Sequence, residues 1–307
     1  MRVKSLVLIL LLTLPAFAQS PKSAEPAAWR KELLLWRDKY TQSLLVKDGW
    51  LAVVGLSWLN PGDNAVGADP ANQIKLPATS VPRLGVIRFD GKTLLLQPPQ
   101  GGFPRELSVN GDRPIQPVPL FSDLDATPSK ITLGTLTIAI INRSDRFGVR
   151  TRDSAAPARL NFSGLHWYLP DPRYRILAKW IPYDAPKLRS IPTVIGTDVQ
   201  MSAPGVAEFT LDGQTLKLEP LLERSDDQQL FFILRDTTSK TETYGAGRFL
   251  YTSLPSNGLS KPGELWLDFN RLHNPPCAFT PYATCPLPLP GNRLQIAIPA
   301  GEKRYHD

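Results

Sequence analysis

Two hydrophobic periods divide this 307-residue chain. From residue 29 to residue 44, Trp29, Leu33, Trp36, Tyr40 and Leu44 recur at helical spacing and line one face of an amphipathic helix. Arg30, Lys31, Arg37 and Lys39 fall mostly off that stripe. Pro26 suits a first turn, and Asp48-Gly49 ends the pattern. Such a stripe either packs on the body of the protein or, through Trp29 and Trp36, docks a partner; aromatic stripes usually bury.

From Trp50 onward the period falls to two. Residues 86–89 and 92–96 flank Asp90-Gly91, residues 107–109 precede Asn110-Gly111, and residues 207–211 and 215–218 flank Asp212-Gly213. Each reads as a hairpin with a tight turn. Residues 130–141 form two strands about Gly134, and residues 230–234 and 265–269 form two more. Short strands with turns this frequent predict antiparallel sandwich or barrel-like lobes, and no alternating β-α pattern is visible. The expected division is a signal peptide over 1–18, a leader and helix over 19–48, a first β lobe over 49–145, and a second lobe with an irregular tail over 146–307. Prolines clustered at 182–192 mark the expected joint between the lobes.

Within the first lobe, VGADPANQIKLPATSVPRLGVIRFDGKTLLL, VNGDRPI and ITLGTLTIAI resemble the strand order of forkhead-associated sandwiches. The resemblance implies a sandwich but not phosphothreonine recognition. Ala68 and Pro82 stand where the phosphate-binding Arg and Ser would be, which leaves only Arg83, and a dianion needs those donors to leave water.

The opening residues have the layout of an export signal: Arg2 and Lys4, an apolar run from Ser5 to Leu14, and Ala16-Phe17-Ala18 as a cleavage site. The expected location is therefore periplasmic or secreted, with no membrane-spanning segment after cleavage, since no later apolar run approaches about 20 residues. The net charge of +7 is spread thinly, with no clustered basic face of the kind nucleic acid requires. The expected partner is a small polar or anionic ligand; the sequence leaves the oligomeric state open.

Familiar catalytic signatures are absent: no G-x-S-x-G, G-x-x-x-x-G-K, H-E-x-x-H or C-x-x-C. His166, His273 and His306 pair with no nucleophile at a recognisable spacing. No cofactor is expected. The tail LDFNRLHNPPCAFTPYATCPLPLPGNRLQIAIPAGEK is too rich in proline for a regular helix or a central strand. Its only two cysteines, Cys277 and Cys285, read as a disulfide in an exported chain. A metal set of Asp268, His273, Cys277 and Cys285 is the weaker alternative, and no metal is assigned.

The stretches GWLAVVGLSWLNPGDNAVG, RFGVRTRDS, FSGLHWY and LRDTTSKTETYGAGRFLY, together with that tail, resemble domain-of-unknown-function family 1684. The resemblance implies membership and no known activity. It also implies that the position of His273 is typically Tyr, which argues against essential chemistry there. Family members without an export signal weaken the disulfide reading.

Alternation in LWLDFN places Leu265, Leu267 and Phe269 on one face and Trp266, Asp268 and Asn270 on the other. A buried Asp268 needs a partner, and Arg248 is the one expected. A polar network of this kind either clips the tail to the β body or forms a site between the lobes, with Arg150, Arg248, Asp268, Asn270 and Asn274 as the ligand-binding candidates. Two other functions stay open: a hydrolase using Asp268 and Glu302 as acid and base, metal-assisted or not, and an envelope structural or interaction protein.

Overall fold

The computed structural model describes residues 26–306; the expected signal peptide over 1–18 lies outside them. Helix α1 (Pro26–Leu45) opens the described chain. Ten strands follow: β1 (Val53–Trp58), β2 (Gly62–Gly67), β3 (Ile74–Lys75), β4 (Gly85–Phe89), β5 (Leu94–Gln97), β6 (Ser108–Val109), β7 (Val118–Leu120), β8 (Lys130–Leu133), β9 (Leu136–Arg143) and β10 (Arg146–Asp153). They form two five-stranded sheets, ordered β1-β10-β9-β8-β6 and β3-β2-β4-β5-β7. Their inner faces share one core that includes Val66, Ile87 and Leu96 from one sheet and Ile131, Ile138 and Val149 from the other. This is the sandwich solution for half-apolar sheets.

A short helix, α2 (Pro157–Leu160), leads to the second lobe. Its strands are β11 (Arg175–Pro192), β12 (Asp198–Leu211), β13 (Gln214–Leu218), β14 (Gln229–Leu234), β15 (Arg248–Ser253) and β16 (Gly263–Asp268). They form a sheet ordered β13-β12-β11-β16 and the pair β14-β15. The protein is mainly β and its pairing is antiparallel, apart from the short parallel contact of β2 with β3. Neither lobe closes into a barrel among the described residues.

Three expectations need correction. Strand β10 lies past the expected boundary at 145, yet it pairs with β1 and β9 in the first sandwich, so the sheet of that lobe runs to Asp153. The prolines at 182–192 belong to β11 rather than a joint. Pairing of β11 with β12 shifts register between Pro182 and Lys187, and a bulge or a strand end is where a missing N–H is tolerated. The turn at Asp90-Gly91 is not the two-residue type: only Gly91 has positive φ. The Asp90 carboxylate instead accepts from the amides of Lys92 and Thr93 and the Thr93 hydroxyl. At Asn110-Gly111 and Asp212-Gly213 both residues are left-handed, as that turn requires.

Helix α1 packs on the tail. Trp29, Leu33 and Leu44 are buried, but so is Arg37, which the sequence placed off the stripe. Its Nη1 donates to the Tyr168 carbonyl at 3.0 Å and its Nη2 to the Asn270 carbonyl at 3.1 Å, with the guanidinium 4.5 Å from the Trp167 ring. Trp29 Nε1 donates to Asp268 Oδ2 at 2.7 Å. Trp36 packs against Tyr40, Trp167 and His273. Both helix indoles are therefore engaged by this same chain.

Trp29→Phe keeps an aromatic ring at the site but removes the indole N–H, leaving Asp268 short of a buried donor. We expect a loss of about 1–3 kcal/mol in urea unfolding, with the far-UV spectrum of the folded protein unchanged.

Candidate functional site

A cavity of about 670 Å³ lies where the two lobes, helix α1 and the tail meet. Strand alternation decides which side chains reach it. On β10, Val149 enters the sandwich core, so Arg150 faces the lobe junction. On β15, Leu250 enters the second-lobe core, so Arg248 points inward with it. Phe249 and Tyr251 take the opposite face and line the cavity.

Arg150 is 4% exposed. Its one hydrogen bond among the described residues is a long one, 3.5 Å from Nη2 to the Thr284 hydroxyl, and its buried Nε has no acceptor. The guanidinium sits 5.1 Å from the Trp50 ring. Burial, then repulsion from Arg143 and Arg152, holds its pKa down at about 10, so it is still charged at neutral pH. Arg143 Nε donates to the same Thr284 hydroxyl at 3.1 Å, while its Nη1 pairs with Asp123 at 2.7 Å.

His273, Tyr40 and Tyr251 form an aromatic wall. Ring centroids lie 4.9 Å apart for Tyr40–His273 and 6.0 Å for Tyr251–His273. Burial lowers the His273 pKa to about 4, leaving the ring neutral. Its Nδ1 lies 3.1 Å from the Arg271 carbonyl; a carbonyl only accepts, so Nδ1 carries the hydrogen and Nε2 is an acceptor.

Of the five expected ligand-binding residues, Arg150 and Asn274 line the cavity and Arg248, Asp268 and Asn270 do not. Arg248, 1% exposed, is paired with Asp236 rather than Asp268, Nη2 to Oδ2 at 2.7 Å. Its other donors take tail carbonyls: Nη2 to Ile298 at 3.0 Å, and Nη1 to Glu302 at 3.3 Å and to Ala300. Asp236 Oδ1 accepts from the Ile298 amide at 3.1 Å. This is the structural clip.

Asp268 is held by Trp29 and by the amide and side chain of Asn270. Asn270 in turn exchanges hydrogen bonds with the Asp171 backbone. Asn274 donates from its amide and side chain to the two oxygens of Glu302, at 2.7 and 2.8 Å. Glu302 is fully buried. Burial drives its carboxyl up to about 8, against the downward pull of the Asn274 donors and Arg248.

The acid–base pair considered for hydrolysis, Asp268 and Glu302, does not line the cavity. Cys277 and Cys285 are free thiols rather than a disulfide, with the Cys277 amide donating to Cys285 Sγ at 3.2 Å. Among the described residues no cluster of three His, Cys, Asp or Glu is placed to hold a metal. His166 is exposed in a loop.

Residues 160–303 match the family described as "Protein of unknown function (DUF1684)". The second lobe and the tail are similar to the DUF1684 family. The solution NMR structure of the uncharacterized protein from gene locus rrnAC0354 of Haloarcula marismortui is 32% identical, with a match covering 48% of this chain and 79% of that one at a TM-score of 0.41. No curated protein matches the chain. The DUF1684 region supplies the Arg248 clip, the aromatic residues of β15, His273 and Asn274. Arg150 and helix α1 come from outside it, so the cavity is a joint product of both parts.

Three roles lie outside the sequence-based expectations: Asp236 as the partner of Arg248, Arg37 as a buried helix cation, and Tyr251 as a wall residue. The period of two in RFLYTS, like that in LWLDFN, carries the signal for Tyr251 and for the inward course of Arg248.

Two outcomes follow from the clip. Arg248→Met leaves Asp236 Oδ2 and the tail carbonyls without the guanidinium donor, and we expect a loss of about 3–5 kcal/mol or failure to fold, read by urea unfolding. Glu302 ionises near 4.5 in an open chain and near 8 when folded, so between those values the folded state binds the extra proton. Stability from this group is complete below pH 4.5 and falls by about 1.4 kcal/mol per pH unit as pH rises towards 8. Urea midpoints measured from pH 5 to 8 should fall accordingly, and Glu302→Gln should flatten that slope from a lower starting stability.

Proposed function

We propose that this protein is a binding module for a small anionic ligand, held in the inter-lobe cavity with Arg150 as its charge partner. The observation that carries the reading is a guanidinium, buried beside the cavity, that among the described residues pairs with no carboxylate and makes no short hydrogen bond. A buried charge is expected to be paired, because leaving water without compensation is costly. Arg143 nearby adds repulsion that an anion would relieve. A volume of about 670 Å³ falls within the range of small-molecule sites.

The carboxylates of the cavity wall do not neutralise Arg150. Asp123 binds Arg143, Asp198 takes the Ser190 hydroxyl at 2.6 Å, and Glu223 takes the Tyr251 hydroxyl at 3.2 Å. All three stand exposed, where water and salt screen them. The leader at residues 1–18 supports an exported protein that meets its ligand in the periplasm or beyond. Hydrolysis has less support, because the proposed acid and base are occupied away from the cavity, and so does partner docking, because Trp29 and Trp36 are engaged within the chain.

Thermal melts of the full chain in acetate, phosphate and sulfate series test this. At least one anion should raise the wild-type Tm with concentration, by about 1.4 kcal/mol of added stability at ten times its Kd. Arg150→Gln should abolish that shift. Since the guanidinium is uncompensated, the ligand-free variant should be no less stable than wild type. Equal shifts in both proteins, or none in wild type, would overturn the reading.

A further inference from the structure

The lining of the cavity limits the ligand further. Arg150 contributes a positive charge without a carboxylate partner, and the wall formed by Tyr40, Tyr251 and His273 is aromatic and carries no positive charge. The His273 tautomer fixed by the Arg271 carbonyl turns an acceptor, Nε2, away from that carbonyl. A second anionic group would meet this lone pair, or carboxylates already bonded to Arg143, Ser190 and Tyr251, and would find no second unpaired cation in the lining. Arg143, the other cation of the lining, is already paired with Asp123 at 2.7 Å. The site thus has room for one negative charge, and a guanidinium matches the planar geometry of a carboxylate. Rings packed tilted, as in Tyr40–His273, or stacked, as in Tyr251–His273, continue most favourably with another flat ring.

We propose that the ligand is an aromatic monocarboxylate, its carboxylate on Arg150 and its ring against Tyr40, Tyr251 and His273. This rests on the anion-binding reading above and narrows it to a chemical class. A phosphate monoester is disfavoured because its second charge would find no unpaired cation in the lining. An aliphatic acid fits the charge but not the wall.

Four probes separate the terms: phenylacetate, cyclohexylacetate, phenylacetamide and inorganic phosphate, titrated into the full chain by calorimetry. Phenylacetate should bind tightest. Phenylacetamide, isosteric but neutral, should bind about ten-fold or more weakly, as expected for loss of a charge-assisted fork. Cyclohexylacetate should bind several-fold more weakly, and phosphate weakest. Arg150→Gln should bring phenylacetate down to the level of phenylacetamide without changing phenylacetamide itself. If phosphate or cyclohexylacetate matches phenylacetate, the aromatic assignment fails while anion binding stands. If phenylacetamide matches phenylacetate, or none of the four binds, the assignment falls, and in the first case the anion-binding reading falls with it. The wild-type series decides the question even if the variant does not fold.

Discussion

The ion pair of Arg248 with Asp236 fixes where the tail can lie, and most of what is distinctive in this protein follows from its position. A segment so rich in proline meets the strands only at isolated bridges such as Phe249–His273 and Arg235–Arg293, yet its other carbonyls and amides still need partners when buried. Arg248 supplies donors to the carbonyls of Ile298, Ala300 and Glu302, and Asp236 accepts from the Ile298 amide. Two charges that would be expensive alone neutralise each other and together act as a surrogate strand edge. Asn292 does the same further along, through the Glu219 backbone and the Ile233 carbonyl. Gly301, with φ of +81°, passes so close to Leu272 that an added Cβ would lie 2.5 Å from its carbonyl oxygen, so the seat is tight as well as polar.

Once the tail is seated, it becomes the surface on which the helix docks. Trp29 reads Asp268, Arg37 reads the Asn270 carbonyl, and Tyr40 donates to the Asn274 carbonyl at 3.0 Å. These contacts span more than two hundred residues of sequence, and each uses a polar group that the tail left unpaired. The helix therefore completes the network and, through Tyr40, closes one wall of the cavity. Glu302 lies at the joint of these parts, beneath Asn274, which links the protonation of a buried carboxyl to the seating of tail and helix together.

The strands and most turns were legible because period-two alternation and Asn-Gly or Asp-Gly pairs act locally. The turn at Asp90-Gly91 was not, since a carboxylate capping three donors can close a longer loop behind the same dipeptide. The polar residues of the tail were recognisable as a network from their density, but their partners were not. Asp236 and Asp268 are both buried acids near turns, and which one Arg248 meets depends on the three-dimensional course of β15. Arg37 escaped because a cation on a helix reads as solvated unless the carbonyls it will meet are known. The prolines of β11 misled because a bulge accommodates them as readily as a loop does.

Three buried arginines show why the cavity, and not the clip, is where function is to be sought. Arg248 spends its donors on a carboxylate and three carbonyls, and Arg37 donates from both terminal nitrogens to carbonyls. Both tie segments that lie outside the regular strands to the fold. Arg150 does nothing comparable: Thr284 is too distant for a strong bond, and the neighbouring Arg143 repels it. A charge kept in that condition weakens the empty protein, and the fold around it supplies the compensation from elsewhere, through the sandwich core and the tail clip. Burial without a partner is the arrangement expected of a site whose partner arrives from outside. The same sheet that stabilises the first lobe through Val149 thereby presents, one residue later and on its other face, the charge that the second lobe and the helix enclose.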